Sequence, residues 1–222
     1  MSDALIVFVK QPTPGAVKTR LAEVLGPEKA AELYRALAEE VVRRTHPRGE
    51  EYRRLFFYTP EEARCEMGSW FPAETWLPQR GDDLGARMAA AFDEAFRRGA
   101  RRAAIIGTDA PSVSRELVLE ALGALNDHDL AVGPASDGGY YLLALDRPRP
   151  ELFEGIAWST PSVLAATLER AARLGLRVRV LRSLTDVDTL ADLRTEWPRI
   201  RALLQNRPSL AVALAAALED ER

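Results

Sequence analysis

The chain has 222 residues, 47% of them hydrophobic, with 30 basic and 33 acidic side chains for a formal charge of −3. A slightly acidic chain with no basic block excludes a sequence-independent nucleic-acid binder, and this hydrophobic fraction excludes a disordered one. One cysteine, Cys65, excludes an internal disulfide framework, and two histidines, His46 and His128, exclude a multi-histidine metal centre.

In chain order, Leu5 to Val9 reads as a buried strand. From Pro27 to Thr45 the spacing of Ala30, Leu33, Leu37 and Val41 predicts an amphipathic helix. Leu55 to Tyr58 is a second strand. Leu84, Met88, Ala91 and Ala95 stripe a helix, and Ala103 to Ile106 is a third strand. Leu117, Ala121, Leu122 and Leu125 mark another helix, followed by strands at Leu130 to Val132 and Tyr140 to Leu145. Val163, Leu164, Leu168 and Ala171 give a helix, and Arg177 to Arg182 alternates as a half-buried strand. Strand–helix alternation predicts an α/β fold with a mixed, mostly parallel central sheet flanked by helices; the closely linked strands near 130–145 supply an antiparallel pair. No linker or repeat divides the chain, which reads as a single domain (1–222) with a helical C-terminal tail from about residue 191. The opening apolar run is too short for a signal peptide and Leu210 to Leu218 too short to span a bilayer, so a cytoplasmic protein is expected.

Open α/β sheets bind ligands beyond the carboxyl ends of their strands, which directs attention to four loops. The first, Lys10 to Leu21, has one glycine, Gly15, two prolines, and the cations Lys18 and Arg20. Only three basic residues, Lys10, Lys18 and Lys29, are lysines, and two of them flank this loop. Such a turn suits phosphate binding, although neither the P-loop nor the Rossmann glycine spacing is present; a solvated connection is the plain alternative. The second, Gly107 to Ser112, places Asp109 directly after a strand, where a carboxylate can hold Mg²⁺; its residues are also turn formers. Ser114 is a candidate cap for the helix that follows. The third, Ser136 to Tyr140, is a hairpin signal whose Asp137, Gly138 and Gly139 also admit a ligand close to the backbone. The fourth, Thr185 to Thr189, alternates Asp186 and Asp188 about a valine, so in extended chain both point to one side; a pair converging with Asp109 would make a divalent-cation site, and a helix cap at Asp188 or Thr189 competes. In weaker segments, Asp83 and Arg87 suit a local ion pair, while Arg80 or Arg87 suits a nucleotide. Trp158-Ser159-Thr160-Pro161 reads as a cap followed by a first-turn proline, with Trp158 in the core or as a stacking wall for an acceptor.

The succession Lys-x-Pro-x-x-Gly-x-Val-Lys-Thr-Arg-Leu (residues 10–21), Gly-Thr-Asp-x-Pro (107–111), Asp-Gly-Gly-Tyr-Tyr-Leu-Leu (137–143) and Asp-Val-Asp-Thr-x-x-Asp-Leu (186–193) resembles the selenodomain-associated transferases. These are GT-A-like proteins of the nucleotide-diphospho-sugar transferase superfamily. The resemblance runs from about residue 4 to 194; the 2-phospholactate and molybdenum-cofactor guanylyltransferases are similar more distantly. It implies a nucleotide across the first loop, with Gly15, Lys18 and Arg20 at its phosphates. It implies Asp109 and Asp188 as metal ligands, and Asp137 to Tyr140 (with Gly138 and Gly139) along the acceptor. The Leu-Ala-Gly-Gly opening of many nucleotidylyltransferases and the Asp-x-Asp of many glycosyltransferases are both absent.

The expectation is an Mg²⁺-dependent (or Mn²⁺-dependent) transferase with a nucleotide or nucleotide sugar and a small-molecule acceptor as partners. Nucleotidylyl transfer from a nucleoside triphosphate to a phosphorylated acceptor leads; glycosyl transfer from a nucleoside diphosphate sugar is the alternative, and a non-catalytic nucleotide-binding module the third reading. Lys18, Arg20 and Asp109 are the expected catalytic residues, with Lys10, Gly15, Arg80 and Arg87 on the nucleotide. Asp137, Gly138, Gly139, Tyr140 and Trp158 are expected on the acceptor, and Asp109, Asp186 and Asp188 on the metal.

Overall fold

A computed structural model of the chain describes residues 2–72 and 74–220. Its centre is a seven-stranded sheet: β1 (Ala4–Lys10), β2 (Arg53–Thr59), β3 (Trp76–Pro78), β4 (Ala103–Ile106), β5 (Leu130–Pro134), β6 (Tyr140–Leu145) and β7 (Val178–Val180). Their order is β3-β2-β1-β4-β6-β5-β7, and β6 alone runs antiparallel to its neighbours β4 and β5. The sheet is mixed and mostly parallel, as expected. The central strands are apolar throughout because helices cover both faces: Leu5, Ile6, Val7, Ala103 and Ala104 are fully buried.

The helices are α1 (Thr19–Leu25), α2 (Pro27–Arg44), α3 (Arg64–Trp70), α4 (Leu84–Arg97), α5 (Arg115–Ala124), α6 (Val163–Arg173), α7 (Leu190–Leu203) and α8 (Pro208–Asp220). One core layer packs α5 and the inner face of α2 on β1, β2 and β4 through residues such as Leu5, Val41, Phe56 and Leu122. The opposite layer packs α4 through Met88, Ala91 and Phe92. A third cluster joins the tail to α1 and α2: Leu210, Leu214 and Leu218 meet Leu21, Leu33 and Leu37. Among the described residues no helix is long and apolar enough to cross a membrane.

Three local expectations are corrected. Asp83 does not pair with Arg87: its carboxylate caps α4 by accepting from Ala86 N–H at 2.7 Å, and Arg87 Nε donates to the Gly81 carbonyl at 3.0 Å. Pro161 is not in the first turn of α6, which starts at Val163 after Ser162. The segment after Lys18 is helix α1 rather than loop, and the short edge strand β3 was not foreseen; both are too brief to show a period. Two capping expectations are met. Ser114 accepts from Leu117 N–H, and Thr189 and Asp192 form a capping box at the start of α7.

Candidate functional site

The carboxyl ends of β1 and β4 and the start of β6 open onto one cleft of about 680 Å³. This is where a sheet of this topology presents its ligand site. Four loops from distant parts of the chain meet there.

The loop after β1 turns tightly at Gly15 (φ 80°) and ends at Lys18, whose backbone is left-handed (φ 49°, ψ 44°). That conformation is costly for a residue with a Cβ and persists only when surrounding contacts fix it. Here they do: the Lys18 ammonium, with its side chain only 2% exposed, bridges Asp109 and Asp188, the latter at 2.8 Å. Burial works against charge on Lys18, but the Asp109 and Asp188 carboxylates outweigh it and hold the amine above the usual lysine range. Burial likewise works against charge on Asp109, and Lys18 outweighs it, holding that carboxyl below the usual range.

Asp109 lies three residues beyond the end of β4, and its carbonyl accepts from Val187 N–H at 3.1 Å, tying the second loop to the fourth. Val187 is fully buried, and Asp186 and Asp188 on either side of it both line the cleft. Asp188 stands just before the α7 capping box, where its N–H and that of Thr189 donate to Asp192. Asp186 differs from its neighbours: its Oδ1 is buried with no hydrogen-bond partner. Burial, with Asp109 and Asp137 nearby, pushes its carboxyl up to about 8.

The three acids expected on a metal therefore share one cleft but do not form a ready cage. Among the described residues no three His, Cys, Asp or Glu side chains are so arranged, because the Lys18 ammonium stands between two of them. Lys18 itself does not line the cleft, unlike Lys10, Arg20 and Arg87. These three cations have no carboxylate within ion-pair distance among the described residues, although Lys10 is near enough to help hold the Asp109 carboxyl down.

Of the remaining expected residues, Asp137, Gly139, Tyr140 and Trp158 line the cleft. Gly15, Arg80 and Gly138 do not. Gly15 shapes an exposed turn, and Arg80 is exposed just before the Gly81 turn. Gly138 (φ 90°) admits protein rather than ligand: a Cβ there would lie 2.1 Å from the Pro161 carbonyl oxygen. Trp158 answers to both of its readings, packing beside Phe153 in the core and bordering the cleft. A Cβ at Gly85 would lie 2.5 Å from its indole, so α4 receives the ring only because that position is glycine. The expectations passed over Phe8, Tyr34, Gln79 and Thr108, which also line the cleft. For Tyr34 a signal existed, since a tyrosine within the apolar face of a helix must find a partner for its hydroxyl.

Residues 42–160 match the DUF2064 family, described as an uncharacterized protein conserved in bacteria. The chain belongs to this family. It is 30% identical over 185 residues to a phosphoenolpyruvate guanylyltransferase of Chloroflexus aggregans (strain MD-66 / DSM 9485), covering 80% of this chain and 89% of the relative. A crystal structure from Desulfovibrio desulfuricans G20, classed with the nucleotide-diphospho-sugar transferases, superposes with a TM-score of 0.86 at 36% identity, covering 96% of this chain and 99% of that one. The manganese complex of Rv0371c from Mycobacterium tuberculosis H37Rv shares the fold, with a TM-score of 0.53 at 15% identity over 87% of this chain and 97% of that one. The expected fold, and the expected class of nucleotide-dependent transferase, are those of these relatives.

Proposed function

We propose that this DUF2064 protein is a divalent-cation-dependent nucleotidylyltransferase. In this reading an oxygen of a phosphorylated small acceptor attacks the α-phosphorus of a nucleoside triphosphate. The new P–O bond forms as the bond to pyrophosphate breaks. The observation that carries the reading is the cleft floor, where Asp109 and Asp188 share the buried Lys18 ammonium beside Asp186, whose Oδ1 has no partner.

That floor fits a divalent cation. Besides Asp82 and Asp83 at the start of α4, the carboxylates of Asp109, Asp137, Asp186 and Asp188 face the cleft, and an unpartnered buried carboxylate oxygen is costly unless a cation or proton meets it. Asp109, Asp186 and Asp188 would hold the ion, as oxygen donors suited to Mg²⁺ or Mn²⁺. When bound, it would neutralise charge on the phosphates and on the departing pyrophosphate.

The chain's own residues do the rest. Lys10, Arg20 and Arg87 supply positive charge to a substrate carrying about four negative charges. Lys18 sets the spacing of Asp109 and Asp188 and lowers their mutual repulsion, a positioning role in place of the direct phosphate contact expected from sequence. Asp137, Gly139, Tyr140 and Trp158 border the acceptor side. No covalent intermediate is required, since positioning and charge neutralisation suffice for in-line displacement.

The curated relative supports GTP and phosphoenolpyruvate as the first pair to try. The test is incubation of the protein with each of the four nucleoside triphosphates, phosphoenolpyruvate and Mg²⁺ or Mn²⁺, followed by pyrophosphate and product analysis. Pyrophosphate released only with acceptor present supports the reading. Nucleoside diphosphate released from nucleotide sugars redirects it to glycosyl transfer. No turnover, with nucleotides still bound, leaves a binding module.

A further inference from the structure

Strand β1 pairs with β2 along its whole length, but its ladder with β4 ends at Val7 and Ile106. Even-numbered residues of β1 turn their backbone polar groups toward β4; Ala4 N–H donates to the Arg102 carbonyl there, whereas the Asp3 carbonyl serves Arg53 on the β2 side. The Phe8 carbonyl and the Lys10 N–H therefore face β4 beyond the point where it ends. This parting of β1 and β4 opens the cleft, and it strands backbone groups that must find partners.

Two side-chain hydroxyls take the place of the missing strand. Lys10 N–H donates to Tyr34 Oη at 2.8 Å, Tyr34 Oη and Thr108 Oγ1 are 3.0 Å apart, and Thr108 Oγ1 donates to the Phe8 carbonyl at 3.5 Å. With Tyr34 accepting from Lys10 and Thr108 donating to Phe8, the phenol proton falls on Thr108. The chain of bonds then runs in one direction from Lys10 back to Phe8. Tyr34 is 2% and Thr108 1% exposed, so water does not readily substitute. Tyr34 comes from α2, and Thr108 immediately precedes Asp109.

We propose that Tyr34 is a positioning residue: its hydroxyl replaces a β4 residue at the split in the sheet and fixes Thr108, and through it the Asp109 carboxylate, in the cleft. On the other side the Val187 N–H holds the Asp109 carbonyl at 3.1 Å, so the loop is clamped from both flanks. The inference deepens the reading of the cleft as a cation-dependent nucleotidylyl-transfer site and rests on it for its link to turnover.

The test compares Tyr34→Phe, Thr108→Val, their double variant and Thr108→Ser, by Mn²⁺ titration of the nucleotide-free protein and by steady-state pyrophosphate release. Tyr34→Phe keeps the ring and removes only the hydroxyl. Expected are a folded protein, Mn²⁺ affinity weakened about tenfold, and a kcat reduced by about the same factor with a smaller change in nucleotide KM. Thr108→Val should reproduce the loss, Thr108→Ser should retain wild-type behaviour, and the double variant should be little worse than either single one, as for residues acting as a unit. Wild-type Mn²⁺ affinity in Tyr34→Phe, or losses from Tyr34→Phe and Thr108→Val that simply add, would overturn the role. A wild-type protein that binds Mn²⁺ but transfers nothing brings down the proposed reaction alone, and the titration still decides Tyr34. A wild-type protein that binds no Mn²⁺ overturns the role of Tyr34 as well.

Discussion

Lys18 and Asp188 are 170 positions apart in the sequence and 2.8 Å apart in space. The contact joins the turn after the first strand to the last loop before the C-terminal helices. Asp109, from the middle of the chain, meets the same ammonium. Three segments are thus held by one buried cation, and the consequences can be measured.

Lys18→Met removes that cation and leaves the two carboxylates repelling each other. Breaking a fully buried pair costs about 3–5 kcal/mol. Here the aspartate side chains are 39% and 43% exposed, which screens the loss. The expected destabilisation is about 1–3 kcal/mol in denaturant unfolding with EDTA present. Added Mn²⁺ should raise the stability of the variant more than that of the wild type. A variant as stable as wild type without metal would show that the ion pair contributes nothing.

Asp186 governs a pH dependence. Its folded pKa is raised to about 8, above the ordinary carboxylate value, so between about pH 4 and pH 8 the folded protein retains a proton that the unfolded chain has lost. Its contribution to stability is therefore favourable at low pH, falls as pH rises through that window, and levels off above about 8. Asp186→Asn should flatten this part of the stability profile of the metal-free protein. Parallel profiles for wild type and variant between pH 5 and 8 would contradict the assignment.

The adjacent glycines Gly138 and Gly139 have different jobs. A Cβ at Gly138 meets the Pro161 carbonyl oxygen at 2.1 Å on a backbone with φ 90°, whereas one at Gly139 meets only a side chain, the Asp137 carboxylate, at 3.1 Å. Gly138→Ala should cost about 2 kcal/mol or more, and Gly139→Ala less than about 1 kcal/mol. Thermal unfolding of the two variants decides the ranking; equal shifts would refute it.

Asp83, which caps α4, and Arg87, in its first turn, both line the cleft but differ in what they bond. Asp83→Ala removes the cap bond to Ala86 N–H and should cost about 1 kcal/mol. Arg87→Ala should change stability little, since the bond it loses, from Nε to the Gly81 carbonyl, is exposed, yet weaken nucleotide binding measured by calorimetry. Unchanged nucleotide affinity in Arg87→Ala would remove it from the phosphate-facing group.

The strands and most helices were legible in the sequence because burial imposes periods that the chain must display. The runs Ala103 to Ile106 and Tyr140 to Leu145 have the observed bounds, and the four site loops follow from where such runs end. Capping at Ser114 and Thr189 was legible for the same local reason. Alternation about Val187 also foretold that Asp186 and Asp188 share a side, since extended backbone alternates its side chains without a paired strand. Pairing was not legible. Nothing near Lys18 in sequence says that its amine faces two aspartates, that Arg87 is free of Asp83, or that Gly138 makes room for Pro161. Nor does the sequence say that β4 stops short of β1, leaving Phe8 and Lys10 to the hydroxyls of Tyr34 and Thr108. Local propensity and hydrophobic period belong to neighbours along the chain, whereas electrostatic pairing and backbone satisfaction belong to neighbours in space, and only the packed sheet determines which those are.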